Sequence, residues 1–317
     1  MIQFSRWNEA TIEVIRDVCS LWNQELGNEF PISERLFIQN SFKCLHLLEE
    51  GSFIVHCDEK VVGLIISKVT REQVDLLPNK VGWIQVILVA KEHRRKGIVM
   101  KLLQMAEKSL RNCGVSKIVL GRDIHHYFPG IPSCCSDTLI WFEKQDYQYV
   151  NKVQDYYRSV SSGIKLLKTD LVISVLKEVE QGALLAFLHQ SFPGRWEYEA
   201  IDYFRAGGDG RHFLVAKKEG KIIGFVRVND TESPILGPNV YWDAVFPEKM
   251  VGIGPLGIDR YYRKNGYGKA IVEAAIQLAV ERKAKHLVID WTELDTFYKS
   301  FGFEVWKEYH QYEKILN

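Results

Sequence analysis

Apolar residues in the second half of the chain form a short continuous run that is followed by a helical stripe. The run ends at residues 256–258 and fits a buried strand. Beyond a turn, four apolar residues recur at helical spacing, namely Ile271, Ala274, Ala275 and Leu278. This spacing predicts a helix with one face packed on a sheet. Strand, turn and helix are therefore expected to form one structural unit.

The turn between them combines glycines with cations and is called the glycine loop below. Its residues are Arg263, Lys264, Asn265, Gly266, Tyr267, Gly268 and Lys269. A helix start presents unpaired N–H groups and the positive end of the helix dipole, and glycine lets a ligand approach the backbone closely. The segment therefore predicts a phosphate-binding loop. The Gly-x-Gly-x-x-Gly spacing of dinucleotide-binding folds does not occur in it.

The remaining pattern predicts the same order of elements twice. In the first half these are a strand (2–6), helices (about 9–25 and 33–44), a hairpin (52–69) and a buried strand (81–90). In the second half they are a strand (172–176), helices (about 178–190 and 197–205) and a hairpin (212–229). Two buried strands (251–258 and 286–291) and a short helix (294–301) complete the second half. The repeat predicts two modules of mixed α/β (α+β) fold. A Ser/Gly-rich linker near residues 159–163 divides them into 1–160 and 161–317.

The spacing of Arg263, Gly266 and Gly268 resembles the acetyl-CoA loop of the GNAT superfamily of acyltransferases. Downstream, residues 297–303 read Phe-Tyr-Lys-Ser-Phe-Gly-Phe and are similar to the closing motif of that superfamily. The resemblance covers nearly all of the chain as two tandem GNAT-like modules. It implies that each module is a mixed central sheet flanked by helices.

The resemblance also implies the chemistry. Acetyl-CoA would be the cosubstrate, with no metal, held by the glycine loop and by the strand residues Leu256, Gly257 and Ile258. Tyr298 would protonate the departing CoA thiolate, since a phenol of pKa near 10 can deliver that proton. The N–H of Ile258 would polarise the thioester carbonyl. The alternative for Tyr298 is a packing role on an amphipathic helix.

The first module keeps part of this pattern. Arg94 and Gly97 align with Arg263 and Gly266, but Val99 stands where the second glycine belongs and Phe142 replaces the tyrosine. A Cβ at Val99 is expected to crowd a pyrophosphate, and phenylalanine cannot donate a proton. The first module is therefore expected to be a degenerate, structural copy. Weak CoA binding there is left open.

The amino-acid composition limits the classes of partner that the chain is expected to bind. The chain has 317 residues and a formal net charge of +1, from 41 basic and 40 acidic residues. This balance argues against nucleic acid and against an anionic membrane surface as partners. No apolar run reaches the length of a membrane span and the amino terminus lacks a signal pattern, so a cytoplasmic protein is expected. The six cysteines form no Cys-x-x-Cys pair, which argues against a metal site. A monomer and a homodimer both remain open.

Two segments of the second module are candidates for contacting an acceptor. Residues 191–210 include Arg195 and Trp196, and residues 233–248 include Tyr241 and Trp242 among prolines. Such aromatics suit the wall of a small-molecule pocket, and they equally suit an ordered structural loop.

No general base stands out in the sequence. The candidates by residue type are His212, Asp243, Asp290 and Glu293, and a water chain to bulk solvent is the alternative.

The predicted activity is that of an N-acetyltransferase acting in the second module. It would move an acetyl group from acetyl-CoA by direct attack of an amine of a small-molecule acceptor. The alternatives are a transferase that uses another acyl donor and a non-catalytic CoA-binding module. The acceptor classes left open include amino sugars, polyamines, antibiotics, precursors of thiol conjugates and peptide amino termini.

Overall fold

The computed structural model describes residues 1–9, 11–71 and 77–316. The chain divides into two compact units. The first holds residues up to 154, apart from a short segment ending at Leu77, together with residues from 307 onward. The second holds residues 155–306 and that short segment. The last residues of the chain thus belong to the first unit, whereas the sequence predicted a single boundary near residue 160.

The elements of the first half follow the expected order. They are β1 (Ile2–Arg6), α1 (Ile12–Leu26), α2 (Glu34–Phe37), β2 (Phe53–Cys57), β3 (Lys60–Val69), β4 (Val81–Val89), α3 (Ile98–Asn112), β5 (Lys117–Leu120), β6 (Ile131–Pro132), α4 (Ser136–Glu143) and β7 (Gln148–Ser159). The helix expected near residues 33–44 is a single α-turn that continues as the π-helical segment Ile38–Phe42.

The second half repeats the order, with a longer second helix before its hairpin. Its elements are β8 (Val172–Val175), α5 (Gln181–Ser191), α6 (Arg195–Arg205), β9 (Phe213–Lys218), β10 (Lys221–Asn229), β11 (Met250–Ile258), α7 (Tyr267–Glu281), β12 (His286–Thr292), α8 (Asp295–Lys299) and β13 (Glu304–Ile315). Among the described residues, no helix combines the length and the apolarity needed to cross a bilayer.

Each unit is built on a mixed sheet. In the first, the strands run in the order β1-β2-β3-β4-β5-β13, where β4 and β5 are parallel and the other neighbours whose register is defined are antiparallel. In the second, the order is β8-β9-β10-β11-β12-β7, and β11 and β12 are parallel. Residues 155–159 of β7 belong to the second unit and residues 307–315 of β13 to the first. The expected mixed sheet with flanking helices is confirmed.

Helices cover the second unit's sheet with two apolar clusters. The predicted stripe on α7 packs as expected, since Ile271 and Ala275 are fully buried and Ala274 and Leu278 are partly buried against the same cluster. The other cluster includes Tyr203 from α6. Burial of these stripes fixes the start of α7 relative to the end of β11.

A buried polar cluster anchors β9 and β10 in the second unit. The Nε2 of His212 lies 3.0 Å from Oδ1 of Asp230, and the Nδ1 of His212 lies 3.0 Å from the Tyr203 hydroxyl. The Nη2 of Arg211 donates to Oδ2 of Asp230 at 2.8 Å. Burial disfavours the charged form of Asp230, but the hydrogen bonds and charges of His212 and Arg211 hold its pKa below the ordinary value on balance.

Loss of the Asp230 charge is expected to destabilise the second unit. The Asp230→Asn substitution leaves Arg211 facing a neutral, buried partner, which should lower the free energy of unfolding by about 3 kcal/mol at pH 7. The folded pKa lies below the unfolded value near 3.8, so this stabilisation is complete above pH 3.8 and is lost as the pH falls through the folded pKa. Urea titrations of wild type and variant at several pH values measure the difference.

Glu232→Gln is the matched control, because the exposed Glu232 carboxylate pairs with the same arginine at 3.1 Å. Exposed ion pairs contribute little, so this variant should unfold close to the wild-type midpoint. Equal effects of the two substitutions would contradict the role assigned to Asp230.

Candidate functional site

The parallel strands β11 and β12 separate before they end. Their pairing runs from Met250 opposite His286 to Gly252 opposite Val288, and no further pair follows among the described residues. The register of β11 against β10 also shifts at this point, with two residues of β11 opposite one of β10. Such a bulge bends the strand and leaves its backbone polar groups free on one side. The region between the unpaired ends of the two strands, β11 after Gly252 and β12 after Val288, is called the strand opening below.

Two buried asparagines fix the bulge. The Nδ2 atoms of Asn229 and Asn239 both donate to the carbonyl oxygen of Gly254, at 3.1 and 3.2 Å. Asn229 also donates to Oδ1 of Asn239 at 2.8 Å. Gly254 has a φ of +134°, a conformation that L side chains rarely adopt, and a Cβ at Gly252 would lie 2.1 Å from Oδ1 of Asn239. The opening is thus built from glycine positions and an amide clamp.

The glycine loop joins β11 to α7 in a fixed conformation. The Nε of Arg263 donates to the carbonyl of Ile258 at 2.9 Å, and Nδ2 of Asn265 donates to the carbonyl of Tyr262 at 3.2 Å. Gly266 is left-handed with φ 78°, and a Cβ placed on it would meet no atom within 4 Å. The space beside Gly266 is therefore open at the start of α7, where the first N–H groups of a helix have no intrahelical partner, as anion binding requires.

The residues predicted to bind the cofactor differ in what their side chains do. Arg263, Lys264, Asn265 and Lys269 are exposed. The Tyr267 ring is buried, and its hydroxyl lies 2.8 Å from Nζ of Lys218, so only its backbone can face a ligand at the loop.

On β11, Leu256 is half-buried and Gly257 is buried. A Cβ at Gly257 would lie 2.5 Å from the Phe192 ring, so the glycine there is required by packing.

Tyr298 lies on α8 and is only 6 % exposed. Its ring packs against Tyr156, Phe297 and Phe303, with centroids 6.3, 5.0 and 6.3 Å away. Phe297 in turn borders the glycine loop, because a Cβ on Gly268 would lie 3.7 Å from it. Burial, and after it the charge of Asp290, raises the pKa of Tyr298 to about 12. Tyr298 therefore keeps its proton throughout the neutral range.

Asp290 is a half-buried residue near the end of β12, beside the bulge. A Cβ placed on Gly254 would lie 3.7 Å from its Oδ1. Burial is the largest cause that raises the pKa of Asp290 to about 7, followed by the carboxylates of Asp155 and Glu199. A carboxyl group that exchanges its proton near neutral pH thus stands close to a phenol that keeps its own.

The other candidate bases lie in different surroundings. His212 is 1 % exposed within the cluster around Asp230, and burial lowers its pKa. Glu293 is exposed and Asp243 is half-buried in the 3-10 turn Asp243–Val245. Asp290 is the one candidate that the structure places at the strand opening.

The two segments expected to contact an acceptor lie in different surroundings. In the first, Arg195 donates from Nε to Oε1 of Glu199 at 2.7 Å, and its guanidinium lies 5.1 Å from the centroid of the Trp291 ring. In the second, Tyr241 and Trp242 are buried, at 4 % and 3 % exposure. The first segment therefore presents charged groups near β12, whereas these two aromatics of the second are packed inside the unit.

The corresponding loop of the first unit has nearly the same backbone. Gly97 has φ 78° as Gly266 does, and Nε of Arg94 donates to the carbonyl of Val89 at 2.9 Å. A carboxylate also contacts this loop. Glu25 forms an ion pair with Arg94 and accepts a hydrogen bond from the N–H of Lys91.

The interior of the first unit contains a buried polar network. Lys68, fully buried, donates from Nζ to Oδ1 of Asp123 at 2.6 Å. The Nε2 of Gln85 donates to the same Asp123 oxygen at 3.1 Å, and Oε1 of Gln85 accepts from Ser41 at 2.8 Å. These hydrogen bonds join the four side chains into one buried network.

Sequence reasoning did not find Asp155 and Glu199. Asp155 belongs to β7 and accepts a hydrogen bond at 2.9 Å from the N–H of Trp291, and Glu199 belongs to α6. Neither position carries a recognisable motif. Asp290 had a local signal, because an acid closes the apolar run of β12, but nothing local set it above the other candidates.

Among the described residues, no group of three or more histidine, cysteine, aspartate or glutamate side chains is arranged to hold a metal ion. The donors gathered at the opening are amide, phenol and carboxylate groups of the protein, which suit proton transfer and anion binding.

The chain resembles known proteins over both units. N-alpha-acetyltransferase 30 of Schizosaccharomyces pombe is 27% identical over 112 residues, which are 35% of this chain and 69% of that protein. Among solved structures, the glucosamine N-acetyltransferase region of a fungal multi-domain GH3 beta-N-acetylglucosaminidase has a TM-score of 0.85 and is 22% identical. That match covers 99% of this chain, which spans only 38% of the fungal protein.

A tandem GNAT protein from the clavulanic acid biosynthesis pathway has a TM-score of 0.71 at 12% identity and covers 99% of this chain and 98% of its own. The model of the acetyltransferase (GNAT) family matches residues 15–128 and 182–303, one region in each half. The chain therefore belongs to the acetyltransferase (GNAT) family as a member with two tandem modules, and the predicted class of N-acetyltransferase is confirmed at the level of the family.

Proposed function

We propose that the second module transfers an acetyl group from acetyl-CoA to the amine of a small molecule. The observation that carries this proposal is the opening between β11 and β12, which has the glycine loop at one end and Tyr298 beside it. An acetyl-CoA molecule that lies along β11 would have its phosphates at the start of α7 and its thioester sulfur near α8.

Donor binding would use backbone groups and exposed cations. The first turn of α7 offers N–H groups and the positive end of its dipole, and Arg263, Lys264 and Lys269 add charge at the surface. Gly266 and Gly268 keep side chains away from the pyrophosphate. The free backbone edge of β11 would hold the pantetheine arm, and the N–H of Ile258 would polarise the thioester carbonyl.

Tyr298 would serve as the general acid. Its raised pKa ensures that the phenol is protonated when the C–S bond begins to break. Proton delivery to the thiolate then prevents the reverse attack of sulfur on the new amide.

An amine acceptor fits both the family and the charges at the opening. Glucosamine N-acetylation and N-alpha-acetylation are named for similar proteins, so an amino sugar and an α-amine are the first probes. We propose the small-molecule class because the opening is bordered by charged side chains from α6 and β12 within a single unit.

Acetyl-CoA should bind the second module with micromolar affinity. Gly266→Glu should abolish that binding, because a carboxylate at the αL position would face the pyrophosphate. Gly97→Glu, the same change at the matching position of the first module, should leave the affinity unchanged. Isothermal titration calorimetry of the three proteins measures affinity and stoichiometry, and wild-type protein without acetyl-CoA binding would overturn the proposal.

Removing the Tyr298 hydroxyl should slow turnover without weakening acetyl-CoA binding. Tyr298→Phe keeps the ring contacts but loses the proton donor, so kcat should fall about 100-fold or more across pH 6 to 9. Tyr147→Phe is the control, since Tyr147 is a buried tyrosine of the first unit whose hydroxyl lies 3.0 Å from Glu107. An unchanged kcat in Tyr298→Phe would return Tyr298 to a packing role.

A further inference from the structure

We propose that Asp290 is the general base of the second module and that the acceptor binds as a small ammonium cation, which Asp290 deprotonates before it attacks the thioester. This inference rests on the proposed acetyl transfer and deepens it. It assigns the proton-accepting atom and the charge state in which the acceptor enters.

The geometry places the Asp290 carboxylate at the reaction opening. Its Oδ1 lies 3.7 Å from the position of a Cβ on Gly254, the bulged residue whose carbonyl is held by Asn229 and Asn239. Because β11 and β12 are unpaired beyond Val288, no ladder hydrogen bond between them closes this space in the described structure. A nucleophile that approaches the bulged part of β11 must therefore pass close to Asp290.

Four ionisable groups from three other elements surround Asp290. They are Asp155 on β7, Glu199 and Arg195 on α6, and Tyr298 on α8. Arg195 is paired with Glu199 at 2.7 Å, so its positive charge is largely compensated. The net charge of the groups around Asp290 is therefore negative. This negative charge and burial together favour the protonated form of Asp290 near neutral pH.

This charge arrangement favours a cationic acceptor. Amines are mostly protonated at neutral pH, and carboxylates in a partly buried site attract an ammonium group strongly. A base whose pKa lies near 7 can take the proton of the ammonium and later release it to solvent without a large cost in either direction. A neutral alcohol would gain no charge attraction from these carboxylates, and an anionic acceptor would be repelled by them.

The proton transfers balance. One ammonium proton passes to a carboxylate oxygen of Asp290, and the amine nitrogen then forms the C–N bond while the carbonyl electrons move onto oxygen. When the C–S bond breaks, its electron pair leaves on sulfur, which receives the Tyr298 proton. A second nitrogen proton restores Tyr298 through solvent, and Asp290 releases its proton to solvent. The products are an amide, CoA thiol and one proton.

The two groups assist each other in this sequence. The negative charge of Asp290 is one of the causes that raise the pKa of Tyr298. When Asp290 takes up the acceptor's proton, that charge disappears and Tyr298 becomes a stronger acid. The acid is therefore strengthened at the step in which the thiolate departs.

The test follows kcat against pH, with glucosamine as the probe amine and saturating acetyl-CoA. Wild-type kcat should rise with pH through an apparent pKa near 7. Asp290→Asn should lower kcat by about 100-fold or more and remove this rise, because an amide cannot accept the proton. Its affinity for acetyl-CoA should stay at the wild-type value.

The Glu199→Gln variant distinguishes the titration of Asp290 from the titration of the substrate amine. Removing this charge should shift the rise in kcat to lower pH by roughly 0.5 to 1 unit, while the amine is the same in every variant. The matched control is Glu293→Gln, which removes an exposed carboxylate just beyond β12 and should leave the profile in place.

An acceptor-independent measurement completes the test. In protein labelled with 13C at the aspartate carboxyl carbons, NMR should show one carboxyl titrating near pH 7, absent in Asp290→Asn and shifted to lower pH in Glu199→Gln. A titration of Asp290 near pH 4, or an Asp290→Asn variant that keeps the wild-type profile, would overturn the base assignment alone. If neither glucosamine, a polyamine nor a peptide amino terminus is acetylated, the proposed function falls, and the base assignment falls with it.

Discussion

The second module depends on the clamp that Asn229 and Asn239 form on the carbonyl oxygen of Gly254. A parallel strand pair would normally continue its ladder and bury both edges. Here the clamp satisfies a bulged carbonyl inside the unit, so β11 bends away from β12 at low cost. The free edge of β11 follows from that departure, and Asp290 lies beside it.

Electrostatics then sets the chemistry that this opening can support. Two groups with well-separated titrations are placed together. Burial among carboxylates brings the pKa of Asp290 close to neutral pH, and burial beside Asp290 raises the pKa of Tyr298 far above it. A site that combines two such environments can supply both an acceptor and a donor of protons. Arg195 and Glu199 moderate the arrangement, because each compensates the other's charge.

The two modules show how a fold can keep its loop and change its interior. The backbone around Gly97 and Gly266 is nearly identical, as are the arginine hydrogen bonds that precede each glycine. The interiors differ, since the first holds the buried pair of Lys68 and Asp123. A buried ion pair with further hydrogen bonds gives a specific and rigid arrangement, which suits a structural module.

The sequence by itself determined the order of elements, the α7 stripe around Ile271 and Ala275 and the repeat of the loop, because these depend on local periodicity and on glycines at fixed spacing. It also singled out Tyr298 and the loop residues, whose roles stay predictions. The exchange of residues 307–315 into the first unit and the surroundings of Asp290 were decided only by the tertiary structure. Asp155, Glu199 and Asp290 come from three distant elements, and a pKa depends on which charges and how much solvent folding brings to a group.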